Sequence, residues 1–136
     1  MNAGYSRTPL ARKLSLKSGM RVWRSGMPGS VASEIAAEGL DLEILEKPQG
    51  KIDAAHLFVK ERQVLERELK ALLALLDSSG FIWVSWPKKA SKVETDIGED
   101  GIREIALPMG LVDVKVCAVD DIWSGLKLVI RKELRS

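Results

Sequence analysis

The sequence predicts an α/β domain, a three-layer sandwich with a mostly parallel sheet between helices. Three observations predict it. Phe81 to Trp86 is an unbroken apolar, β-branched and aromatic run, the pattern of a strand buried on both faces. Just before it, Leu65, Leu69, Leu72, Leu73 and Leu76 recur at helical spacing as one apolar stripe. Elsewhere strand and helix patterns alternate, which implies parallel strands joined by right-handed crossovers. At 136 residues the chain is expected to be one domain, 1–136, with a core of its own.

Residues 1–7 read as a loose arm. Thr8-Pro9 reads as an N-cap with proline at the first helical position, and Leu10 and Leu14 mark a short helix to about Leu16. Ser18-Gly19 ends it. Met20 to Trp23 reads as a short strand, followed by a turn from Ser25 to Gly29. Ser30 is positioned to cap a second helix, with Val31, Ile35 and Ala36 on one side and Gly39 as its stop. Leu40 to Leu45 alternates apolar and acidic residues, as a strand with one exposed face does. Lys47 to Gly50 is a turn, and Ile52 to Val59 a second buried strand. The leucine helix runs from about Glu61 to Asp77, with Glu66 and Lys70 as a favourable pair and Ser78-Ser79-Gly80 as its end. Pro87, with no N–H to donate, stops the central strand. Asp96 and Glu99 suggest an N-terminal box for a helix carrying Ile102, Ile105, Ala106 and Met109, ended by Pro108 and Gly110. Val112 to Val119 and Leu126 to Ile130 are the last strands. Their link, Asp120 to Gly125, is long enough for a hairpin only, so the final strand is antiparallel.

The totals exclude several function classes. A net charge of +2 is too small to argue for nucleic acid. Residues 1–29 hold six basic side chains and no acid, while the remainder carries 15 basic against 19 acidic residues. A solvated basic face accounts for that arm more simply than an acidic partner does. One cysteine, Cys117, precludes an internal disulfide, and one histidine, His56, removes the usual metal constellations. No run is long and apolar enough for a membrane span, and the polar N-terminus shows no secretory signal. A reducing cytoplasm is the expected compartment.

Gly4 to Ser6, Thr8 to Leu14, Gly19 to Val22, His56 to Val59, Trp83 to Lys89, Ser91 to Val93, Leu111 to Asp120 and Trp123 to Val129 together resemble a bacterial family called domain of unknown function 3052. The resemblance covers nearly the whole chain and implies no activity. A leucine helix, Ser-Gly, an apolar strand, a helix and a hairpin in that order are also similar to the second half of class I S-adenosylmethionine-dependent methyltransferases. That resemblance implies a Rossmann-like, methyltransferase-like sheet of order 2-1-3-4-6-5 with strand 6 antiparallel. Those enzymes carry an acid and Gly-x-Gly on the first strand-to-helix turn. Here the turn runs Arg24-Ser25-Gly26-Met27-Pro28-Gly29, with no acid and different glycine spacing. Glu46, after the second strand, is placed to hold ribose hydroxyls.

In open α/β sheets ligands sit at the carboxyl ends of the strands. Lys88, Lys89, Ser91 and Lys92 leave the central strand at that edge, a set that can hold a phosphate or carboxylate. Trp123 and Ser124 are expected to arrive from the hairpin, with Trp86 and Trp123 as two walls for a planar ligand. Gly26 and Gly29 offer backbone N–H groups before a helix. Inside strands, His56 reads as a hydrogen-bonded core histidine and Cys117 as a small buried residue. Trp23 and Trp83 read as core. No catalytic residue, metal or cofactor is assigned. The leading expectation is a small domain that binds a nucleotide-like or other anionic molecule at this edge without catalysis. The alternatives are a minimal or degenerate methyltransferase, and an interaction module that has lost its ligand.

Overall fold

The computed structural model describes residues 8–135, so the expected arm at 1–7 lies outside the described residues. Helix α1 (Leu10–Lys13) is followed by β1 (Arg21–Ser25), α2 (Gly29–Ala36), β2 (Glu43–Ile44) and β3 (Ile52–Phe58). Then come α3 (Arg62–Leu73), β4 (Leu76–Pro87), α4 (Glu99–Ala106) and the hairpin β5 (Leu111–Ala118) and β6 (Trp123–Ile130). The six strands form one sheet of order β2-β1-β3-β4-β6-β5. β1 to β4 pair in parallel, and β6 is antiparallel to both of its neighbours. The order is the expected one, and β4 lies inside the sheet between β3 and β6.

Each face of the sheet carries its own core. Strand alternation sends Val22, Ala54, Phe58, Phe81, Trp83 and Trp123 to the side covered by α1 and α2. Ile52, Ala55, Leu57, Ile82, Val84, Leu126 and Leu128 meet Leu65, Leu69 and Leu72 of α3 and Ile102 and Ile105 of α4 on the other side. The leucine period therefore faces the sheet as expected, with Glu66 and Lys70 on its wet side.

Several boundaries differ from the expectation. α3 stops at Leu73, and Leu76 belongs to β4, where it pairs with Ile52. Ser78 to Gly80 lie inside the strand rather than ending a helix. The Ser79 N–H and hydroxyl both donate to Asp77 Oδ2, at 3.0 and 2.5 Å, which folds a bulge into β4. Gly80 permits this, since a Cβ there would meet Asp53 O and Leu76 Cδ1 at 2.9 Å. β2 shrinks to two exposed residues because no helix follows it to bury its face. Pro28 rather than Ser30 is the N-cap residue of α2, and Pro9 rather than Thr8 that of α1. Asp96 does not box α4. Its Oδ1 accepts the Arg62 N–H at 2.8 Å and satisfies the first turn of α3, while Glu99 pairs with Arg103.

Candidate functional site at the carboxyl edge

The parallel strands end on one rim. β1 ends at Ser25, whose hydroxyl donates to Glu68 Oε1 of α3 at 2.8 Å. Gly26 then turns the chain at φ +71°, and a Cβ there would lie 2.9 Å from Phe58 O. A side chain cannot fit, so the backbone of this turn rests directly on the end of β3. Phe58 in turn meets Trp123 edge-on at 5.1 Å between ring centroids. Gly26, Phe58 and Trp123 make a continuous row across β1, β3 and β6.

Beneath that row lies a buried polar pair. His56 Nε2 and Ser85 Oγ share a hydrogen bond of 2.7 Å, and the imidazole stacks on Phe58 at 4.3 Å. Burial, helped by the nearby charge of Arg24, pulls the His56 pKa down to about 3. The ring is neutral near pH 7, and the core-histidine expectation holds. Burial raises the Cys117 thiol, which makes it a poor nucleophile despite Lys13 and Lys115 beside it. Between α1, α2 and the sheet, Arg24, His56, Phe81 and Trp83 help to line a cavity of about 10 Å³, the room of a single water. A larger ligand does not fit inside it.

The candidate residues are distributed as follows. Trp123 pairs with Pro87, and Ser124 with Trp86, so the hairpin does reach the carboxyl end of β4. Alternation places Trp86 and Trp123 in opposite cores, and they cannot form two walls of one pocket. The Lys88 ammonium is engaged, donating to Asp120 O at 2.7 Å and so tying β4 to the hairpin turn. Ser91 Oγ donates to Lys88 O at 2.6 Å and accepts from the Val93 N–H, which shapes the loop from inside. Lys89 and Lys92 are exposed, with Lys92 at φ +60°. Gly26 and Gly29 lie two strands from the lysine loop, about 10 Å along the rim at ~4.8 Å per strand. Glu46 stands just past β2, beyond Leu45, whose N–H bonds Val22 O at 2.9 Å. It is exposed and has no hydrogen bond among the described residues.

Sequence reasoning treated Arg24 only as a missing acid. The structure sets it on the wall of the small cavity, next to His56 in register and two residues before Gly26. Among the described residues no three acidic, histidine or cysteine side chains gather as a metal site, and no helix is long and apolar enough to cross a membrane.

The rim can now be set beside known proteins. No family model matches the chain, and no curated protein matches it in sequence. Solved structures do match in shape. A magnesium protoporphyrin IX methyltransferase from Synechocystis, solved with bound S-adenosylmethionine, superposes with a TM-score of 0.58 at 12% identity, over 89% of this chain and 74% of that one. The fold is methyltransferase-like. A ribosomal protein L11 methylase from Lactobacillus delbrueckii gives 0.56 at 12% identity, covering 90% and 74%. An S-adenosylmethionine-dependent methyltransferase from Aquifex aeolicus gives 0.52 at 15% identity, covering 89% and 88%. The methyltransferase-like sheet is present with its last two strands in hairpin order, on a chain with little beyond that core.

Proposed function

We propose that this chain is a reduced methyltransferase-type domain that binds an adenosyl ligand, S-adenosylmethionine or a close derivative, across the carboxyl ends of β2, β1 and β3. One observation carries the reading. The parallel pair β1 and β2 sets the Gly26 turn and the unpaired Glu46 side by side on the rim of a methyltransferase-like sheet. A carboxylate there suits two ribose hydroxyls, and the bare turn lets a ligand approach the backbone. Methyl transfer from a sulfonium is a displacement with a neutral leaving group. Orientation can supply much of its rate, so the lack of an accessible histidine is no obstacle. In calorimetric titrations, S-adenosylmethionine or S-adenosylhomocysteine should bind saturably, one per chain. Glu46→Ala should weaken that binding by about tenfold, the loss of a charge-assisted contact. No saturable heat from either compound, or an affinity indifferent to Glu46, would sink the reading.

A second reading, an anionic small molecule held at the lysine loop, is favoured by Lys89 and Lys92, whose ammonium groups make no hydrogen bond or ion pair among the described residues. Lys88 has structural work, unlike Lys92. Lys88→Ala should cost about 1–2 kcal/mol in urea melts, and Lys92→Ala less than about 0.5. If this loop holds the anion, the Lys89→Ala, Lys92→Ala double variant should bind inorganic phosphate at least about tenfold more weakly than the parent chain. Equal affinities would remove the loop from consideration.

A further inference from the structure

Five arginines are partly buried among the described residues: Arg21, Arg24, Arg62, Arg103 and Arg131. Four of them face carboxylates. Arg21 pairs with Glu43 at 2.7 Å, Arg62 with Glu104 at 3.1 Å, Arg103 with Asp113 at 3.0 Å, and Arg131 lies 3.9 Å from Glu133. The Arg24 side chain has neither an ion pair nor a hydrogen bond among the described residues. Its neighbour in register, His56, is buried and neutral. Burial alone pushes the guanidinium pKa down, the mark of a cation losing water without gaining a counter-charge. α2 begins beyond the turn with no acid in its first turn and no side-chain cap.

We infer that Arg24 is the anion-reading residue of this site, and that the domain selects adenine nucleosides whose 5′ substituent carries a carboxylate or phosphate and no sulfonium. The inference rests on the proposal that the rim takes an adenosyl ligand. A guanidinium matches either oxyanion with two parallel hydrogen bonds. S-adenosylmethionine brings a sulfonium as well as an ammonium toward a guanidinium that has no ion pair among the described residues. S-adenosylhomocysteine lacks the sulfonium, and adenosine 5′-monophosphate brings only negative charge. The site therefore favours the product of methyl transfer, or a nucleotide, over the methyl donor.

The test compares these three ligands by calorimetry on the full chain and on Arg24→Gln, Arg24→Lys and Arg24→Glu. Thermal melts confirm that each variant folds, and Arg24→Lys keeps the charge where another substitution fails to fold. In the parent chain, S-adenosylhomocysteine, adenosine 5′-monophosphate or both should bind at least about tenfold tighter than S-adenosylmethionine. Whichever binds tighter identifies the oxyanion as carboxylate or phosphate. Arg24→Lys should retain the preference, Arg24→Gln should reduce it to within about threefold, and Arg24→Glu should turn it toward S-adenosylmethionine. Equal or tighter binding of S-adenosylmethionine by the parent, or a preference that survives Arg24→Gln, overturns the inference and leaves the adenosyl site standing. Binding of none of the three overturns both.

Discussion

Replacing Trp83 with alanine is expected to cost about 3–5 kcal/mol, enough to threaten a domain of ordinary stability. Trp83 is 1% exposed at the middle of the central strand. Its indole N–H donates to Leu14 O at 2.8 Å, the carbonyl that follows α1. Alanine removes the ring and leaves that buried carbonyl without its donor, two losses that add. The ring also abuts Gly125, where a Cβ would sit 3.1 Å from Trp83 Cε3. Strand β6 thus approaches only because residue 125 has no side chain. Trp83→Phe separates the terms, because it keeps most of the packing and loses the hydrogen bond. It should cost about 1–3 kcal/mol. Urea melts check both values. A Trp83→Ala chain as stable as the parent would mean that the core on the α1 side contributes little.

Acid should destabilise this protein earlier than its carboxylates alone require. His56 titrates near 6.5 in an unfolded chain and at about 3 in the folded one. Between those values the unfolded state holds a proton that the native state does not, so stability falls as pH falls. The slope is about 1.4 kcal/mol per pH unit, starting below pH 6.5 and fading near pH 3. Above pH 6.5 both states are neutral at this residue, and it contributes no pH dependence. Chemical denaturation from pH 7.5 to 4 reads the effect, and His56→Gln, which removes the titrating group, should flatten the curve. An unchanged slope in that variant would assign the acid sensitivity to other groups.

The hairpin and helix faces were legible in the sequence because each rests on a period of two or 3.6 over many residues, and the strand order came from the methyltransferase resemblance. Phe81 to Trp86 could only be a central strand, and the link from Asp120 to Gly125 could only be a hairpin. Features that depend on one distant partner were not legible. Leu76 fits the leucine period as well as it fits the strand, and pairing with Ile52 decides between them. Asp96 reads as a cap for the helix that follows it, yet it caps α3 across the loop. Lys88 reads as a free cation, and Asp120 O claims it. Arg24 carries the opposite lesson. Its residue type was plain, but that no carboxylate among the described residues pairs with it is a fact about many other elements at once. No local window contains that fact.

The staples of α1 determine when this protein can finish folding. Lys13 Nζ donates to Ala118 O, Lys115 Nζ to Lys13 O, and Lys127 Nζ to Ser15 Oγ, joining residues 102 to 112 positions apart. In chain order α1 comes well before its seat on β4, β6 and β5. Four helical residues do not hold a fold of their own through that interval. α1 is therefore expected to dock only once β5 and β6 are made. A nascent chain stalled before Trp123 has its leucine core on the α3 side available and the Trp83 side open. The eight-residue strand β6 then joins the sheet and the seat of α1, and contacts of such long sequence separation are expected to form slowly.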